Sequence, residues 1–146
     1  MESLMAKSKT HPGLTLLKKS STKVPRSPAS AQIESFANKH HKRDYIIKFD
    51  APEFTTLCPV TGQPDFGHIV IEYVPDKLRM ESKSLKLYLY SFRNYQCFHE
   101  ESVNRILEDV SKAIEPRWIT VSGKFRPRGG ISIEVEASWD AEDNIG

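Results

Sequence analysis

Ile131-Ser-Ile-Glu-Val-Glu-Ala-Ser138 alternates apolar and polar residues without a break. A period of two puts Ile131, Ile133, Val135 and Ala137 on one face of an extended chain and Ser132, Glu134, Glu136 and Ser138 on the other. The run just before it, Arg117 to Phe125, is also β-rich, and Pro127-Arg-Gly-Gly130 supplies a turn between the two. The pair reads as a C-terminal hairpin. Further upstream, Gly67 to Val74 repeats the pattern, with Ile69, Ile71 and Tyr73 opposite His68, Val70 and Glu72. Tyr45-Ile-Ile-Lys-Phe49 is a plausible partner strand. Between the two strand pairs, Val103, Ile106, Leu107, Val110 and Ile114 fall at helical spacing and stop before Pro116. Glu81 to Phe92 suits either a helix or a strand, and its length and good helix formers favour a helix. The order ββ-αα-ββ predicts an α+β domain.

Composition narrows the function classes. At 146 residues the chain fits one domain. No apolar run approaches the ~18 residues of a membrane span, which excludes an integral helical membrane protein. Two cysteines, Cys58 and Cys97, are too few for a disulfide-stapled secreted scaffold. No signal peptide is visible near Met1, so a reducing cytoplasm is the expected compartment. Charge is unevenly spread: residues 1–43 hold nine Lys and Arg against Glu2 and Glu34, and residues 44–146 hold twelve against seventeen acids. Residues 1–43, rich in Ser, Lys and Thr with three prolines, read as a basic, largely disordered extension with a short helix near Ala31–His40. Residues 44–146 form the folded domain.

The chemistry-bearing residues fall into four groups. Cys58 lies in the turn-rich stretch Thr55-Thr-Leu-Cys-Pro-Val-Thr-Gly-Gln-Pro-Asp65, and Asp65 can return across those turns to stand near it. A thiol needs a lowered pKa or a base to act as a nucleophile. The competing reading is a small buried cysteine beside an ordinary turn aspartate. His99-Glu100 comes next: a carboxylate accepts two parallel hydrogen bonds from a guanine-like edge, although Glu near a helix start is also favoured by the helix dipole. Lys83, Lys86, Arg126 and Arg128 are candidate phosphate contacts, and solvated surface cations otherwise. No Gly-rich dinucleotide or Walker loop is present. Cys58, His68, Cys97 and His99 are zinc-type ligands whose spacing matches no closed framework, so no metal is expected.

Glu81-Ser-Lys-Ser-Leu-Lys-Leu-Tyr88 resembles the signature of the NADPH-dependent nitrile reductases of queuosine biosynthesis. These are the 7-cyano-7-deazaguanine reductases, or QueF family. The Cys58…Asp65 stretch and Phe98-His-Glu100 match in order and spacing, over about residues 44–140. The resemblance is to the short, single-module type. It implies a tunnelling fold (T-fold): an antiparallel four-stranded sheet with two helices on one face, assembling into rings with active sites between subunits. It implies reduction of a nitrile on a 7-deazaguanine to an aminomethyl group by two NADPH through a thioimide on Cys58. Asp65 would be the proton donor, with His99 assisting or positioning the base and Glu100 binding the guanine-like edge. Met80, Glu81 and Ser82 would hold the heterocycle from the neighbouring subunit, and Lys83, Lys86, Arg126 and Arg128 would meet the NADPH phosphates. Direct nucleic-acid or membrane partners are not implied. The alternatives are a zinc-dependent cyclohydrolase of the same fold, a thiol-dependent nitrilase or amidase, and a non-catalytic RNA- or anion-binding module using the basic arm. Cys97, next to His99-Glu100, lies outside the family pattern, and a disulfide with Cys58 is left open.

Overall fold

The computed structural model describes residues 24–144. Its elements run β1 (Ser35–Ala37), β2 (Ile47–Leu57), β3 (Pro64–Val74), β4 (Leu78–Met80), α1 (Ser82–Tyr90), α2 (His99–Ile114), β5 (Trp118–Arg128) and β6 (Ile131–Asp140). Four long strands form one antiparallel sheet in the order β2-β3-β5-β6. The α+β architecture and the ββ-αα-ββ order of the main elements are those expected.

The alternation in β3 and β5 decides which face is buried. Ile69, Ile71, Tyr73, Ile119 and Val121 are fully buried, under Leu85 and Tyr88 of α1 and Val103, Ile106, Val110 and Ile114 of α2. Each such side chain contributes about 1.5–3 kcal/mol relative to exposure, so this face is the main source of cohesion. The opposite face is polar, with Lys48–Glu72 and Lys124–Glu134 pairs across the strands. The Tyr88 hydroxyl donates to Asp109 Oδ2 at 2.6 Å, which ties α1 to α2. α2 stops at Glu115, whose left-handed φ of 45° turns the chain into Pro116.

Several details depart from expectation. β2 is much longer than Tyr45–Phe49 and carries a bulge between Ala51 and Phe54, around Pro52. α2 starts at His99, so His99-Glu100 forms its first turn rather than preceding it. The helix expected near Ala31–His40 is instead strand β1, which pairs with β4. Its backbone finds long-range partners: Glu81 N–H donates to the Glu34 carbonyl and Glu34 N–H to Ser84 Oγ, at 2.9 Å each. Ala31 and Ile33 touch the core, and Asn38 is buried. Part of the expected arm is therefore built into the fold, while residues 1–23 lie outside the described residues. In β6, Ile131 and Ile133 are exposed although Val135, Ala137 and Trp139 reach the core. Among the described residues, no helix is long and apolar enough to cross a membrane.

Candidate active site

The hairpin between β2 and β3 closes through residues 58–63. Cys58 N–H donates to the Gln63 carbonyl and Gly62 N–H to the Cys58 carbonyl, both at 2.8 Å. Gly62 takes φ +71°, a conformation glycine adopts without strain. This tight turn wraps residues 60 and 61 around the half-buried Cys58 thiol. The Thr61 side chain, then the backbone N–H groups of Thr61 and Val60, lower its pKa from 9.0, against opposing contributions from burial and Asp65. Donors aimed at a sulfur favour the thiolate, the nucleophilic form.

Asp65, the second residue of β3, lies directly opposite Thr56 of β2, and both are buried on the face toward the helices. It is 8% exposed, and its charge is met by Arg128, whose Nε lies 2.7 Å from Oδ1. Arg128 also donates from Nη2 to the Pro64 carbonyl at 2.8 Å. Arg128, expected at an NADPH phosphate, is thus engaged with the candidate proton donor. The Thr56 hydroxyl is wholly buried and has no hydrogen-bond partner among the described residues.

Three residues of extended chain carry the second half of the site to the first. Leu57 N–H donates to the Tyr95 carbonyl and Cys97 N–H to the Leu57 carbonyl, at 3.0 Å each, a parallel bridge along the end of β2. The start of α2 is thereby fixed beside the residue preceding Cys58. The His99 ring stacks on Phe125 at 3.9 Å and 19°, with Nδ1 buried and without a hydrogen-bond partner among the described residues. Glu100 is exposed, and its carboxylate has no partner among the described residues, so it is free to receive a ligand. Cys97 is buried and its thiol is pushed up to about 11 by burial and then by Glu101, so it stays protonated and unreactive. Both cysteines are free thiols.

The remaining candidates sit elsewhere. Glu81 caps α1, its carboxylate accepting from Lys83 N–H at 2.8 Å and Ser84 N–H at 2.6 Å. Those bonds hold it below the usual carboxylate range. Met80 is buried, and its N–H donates to the Tyr73 hydroxyl. Ser82 and Lys86 border a groove of about 630 Å³ between β2 and α1, which Cys58 does not line. Lys83 and Lys86 are exposed, one turn apart, and in no ion pair among the described residues. Arg126 lies over the exposed Phe66 ring. Within one chain, then, Cys58, Asp65, His99 and Arg128 gather at one end of the sheet, whereas Met80, Glu81 and Ser82 do not join them. Sequence reading missed Phe125, Thr61 and Thr56. The alternation of β5 alone marks Phe125 as core, and nothing in sequence marks the other two. His68 pairs with Asp50, and among the described residues no three His, Cys, Asp or Glu side chains converge as metal ligands.

The profile of a family described as QueF-like protein matches residues 64–144, more than half of the chain. This chain belongs to that family. Its curated relatives include the NADPH-dependent 7-cyano-7-deazaguanine reductases of Bacillus licheniformis and Bacillus subtilis (strain 168). Each is 56% identical over 127 residues, covering 87% of this chain and 77% of the relative. The protein of the same name from Neisseria gonorrhoeae is 50% identical over 127 residues, 87% of this chain and 81% of the relative. Any 127-residue stretch of a 146-residue chain includes Cys58, Asp65, His99 and Glu100, so the likeness spans the candidate site. Among solved structures, an archaeosine synthase QueF-Like in the apo form superposes with a TM-score of 0.57 at 25% identity. It covers 65% of this chain and 91% of its own. The QueF-like family and its T-fold are thus those the signature implied.

Proposed function

We propose that this chain is an NADPH-dependent reductase converting the nitrile of 7-cyano-7-deazaguanine to a primary amine, with Cys58 as its nucleophile. The observation that carries the reading is the Cys58 thiol, held toward its thiolate by Thr61 and Val60 beside Asp65, in a chain 50–56% identical to reductases of that name. Nothing in these comparisons favours a zinc cyclohydrolase.

The chemistry follows from the residues. The Cys58 sulfur adds to the nitrile carbon, one π bond of C≡N breaks, and a proton passes to nitrogen, leaving a neutral thioimide. Asp65 is placed to take the thiol proton and deliver it to nitrogen. An unreactive triple bond becomes a C=N able to accept hydride. NADPH, when bound, supplies hydride twice; with two protons, one nitrile then gives one aminomethyl group and two NADP⁺. The exposed ammonium groups of Lys83 and Lys86 suit its phosphates, with Arg126 a further candidate. Glu100 offers two acceptor oxygens to the donor edge of the guanine-like ring, and the Phe125-backed His99 ring offers a nitrogen to the substrate or its proton.

Exposed Ile131 and Ile133 on edge strand β6, the open edge of β2, and the distance in the fold between the Glu81 cap and Cys58 favour assembly into rings. Met80, Glu81 and Ser82 then complete a neighbour's site. Two free cysteines fit a reducing cytoplasm. The test is intact-protein mass spectrometry after incubation with 7-cyano-7-deazaguanine and no NADPH. Wild type gains the mass of one substrate and Cys58→Ala gains none. A folded wild type that forms no adduct defeats the reading.

A further inference from the structure

Arg128 and Asp65 together make an arrangement the phosphate-contact reading does not use. Asp65 is more than nine-tenths buried, and Arg128 is its only ion-pair partner among the described residues. The guanidinium is itself fixed at two points, Nε on Asp65 Oδ1 at 2.7 Å and Nη2 on the Pro64 carbonyl at 2.8 Å. Pro64 precedes Asp65, so one planar fork grips both the backbone and the side chain of the same short stretch. Arg128 in turn sits at the end of β5, just before Gly129 and Gly130, whose φ of +58° and +79° turn the chain into β6. The anchor is thus an exposed side chain at the end of a sheet strand, held to the β3 start by these two bonds.

We propose that Arg128 is the positioning residue of Asp65, and that this, rather than holding a cofactor phosphate, is its role in the reaction. The inference rests on the reductase reading above. With Oδ1 bound to Nε, rotation of the carboxylate is blocked and Oδ2 is the oxygen left to exchange protons. The step balances within the site: the Cys58 thiol proton passes to Oδ2, the sulfur bonds to the nitrile carbon as one C–N π bond breaks, and Oδ2 gives that proton to nitrogen. Asp65 ends as the carboxylate it began as, and Arg128 neither gains nor loses a proton.

The two roles separate because thioimide formation needs no NADPH. Rapid-quench mass spectrometry of adduct formation in Arg128→Gln and Arg128→Lys, with NADPH absent, reads positioning alone. A misplaced proton donor slows adduct formation by about tenfold or more. Lys keeps the charge near Asp65, so this variant retains the fold if Gln does not, yet it lacks the fork that spans two acceptors. Affinity for the nitrile, measured in a Cys58→Ala background, stays within about threefold of the parent, a result that general loosening of the site would not give. Adduct formation at the wild-type rate in either variant overturns the proposal, and does so most directly if the NADPH KM rises instead. A wild type that forms no adduct at all defeats the reductase reading, an outcome distinct from both.

Discussion

Phe125 is held between a glycine and the candidate catalytic histidine, and Gly67→Ala tests that contact. The two residues are cross-strand partners, so the ring lies over the position where residue 67 has no side chain. A Cβ at Gly67 would stand 2.7 Å from Phe125 Cδ1 and 2.8 Å from Cε1. Ordinary contact begins at 3.4 Å, so the ring must move by roughly 0.7 Å or the strands must part. The ring is confined on its other sides: His99 stacks on it at 3.9 Å, Phe54 meets it edge-on, and the space over Gly123 is filled by the ring itself with Val103 and Ile69. Overpacking of a filled core costs about 1–3 kcal/mol. Displacing a positioned group by approaching 1 Å costs up to about 100-fold in rate. Gly67→Ala is therefore expected to lose about 1–3 kcal/mol in urea unfolding and at least about tenfold in kcat. The double variant Gly67→Ala/Phe125→Leu relieves the clash and recovers much of the stability, but not the rate, because the flat platform under His99 is gone. A Gly67→Ala protein with wild-type stability and turnover would refute the reasoning.

Three further outcomes follow from single contacts. Cys58 and Cys97 separate by pH in iodoacetamide labelling followed by mass spectrometry: Cys58 is lowered below 9.0, so its thiolate and its labelling appear at lower pH, whereas Cys97, at about 11, stays unlabelled through pH 9 in folded protein. Thr61→Val removes the largest contribution holding the Cys58 thiolate, so its labelling profile moves to higher pH and its rate at pH 7 falls; an unchanged profile would show that the backbone donors suffice. Glu115→Gly relieves a left-handed residue worth about 1–2 kcal/mol of strain against about 0.5–1 kcal/mol of added chain entropy, so the unfolding free energy rises by up to about 1.5 kcal/mol and the thermal midpoint moves upward; a lowered midpoint would contradict this.

How far the sequence could be read depended on whether a residue's role is local. The faces of β3 and β5 follow from alternation, and α2 from its 3.6-residue period, because burial repeats along those segments. The β1–β4 pair was not legible: Ser35-Phe-Ala37 has no periodic signal, and its conformation is set by Leu78–Met80, more than forty residues away. The exposure of Ile131 and Ile133 was hidden for a similar reason, since the pattern fixes a face but not what covers it. At the site, Cys58, Asp65, His99 and Glu100 were legible as residue types in a family order. The Arg128–Asp65 pair and the Phe125–His99 stack were not, because one joins the ends of β5 and β3 and the other sets the start of α2 on β5, contacts that only the tertiary fold makes. Pairing across β3 and β5 turned a candidate phosphate ligand into the partner of the candidate acid.

The central claim is that Cys58 carries a two-step NADPH-dependent reduction, and stoichiometry tests it most directly. NADPH oxidation followed at 340 nm with 7-cyano-7-deazaguanine, together with quantified amine, is expected to give two NADPH per amine for wild type and neither signal for Cys58→Ala. Turnover that persists in Cys58→Ala, or a folded wild type that consumes no NADPH with this nitrile, would contradict the account.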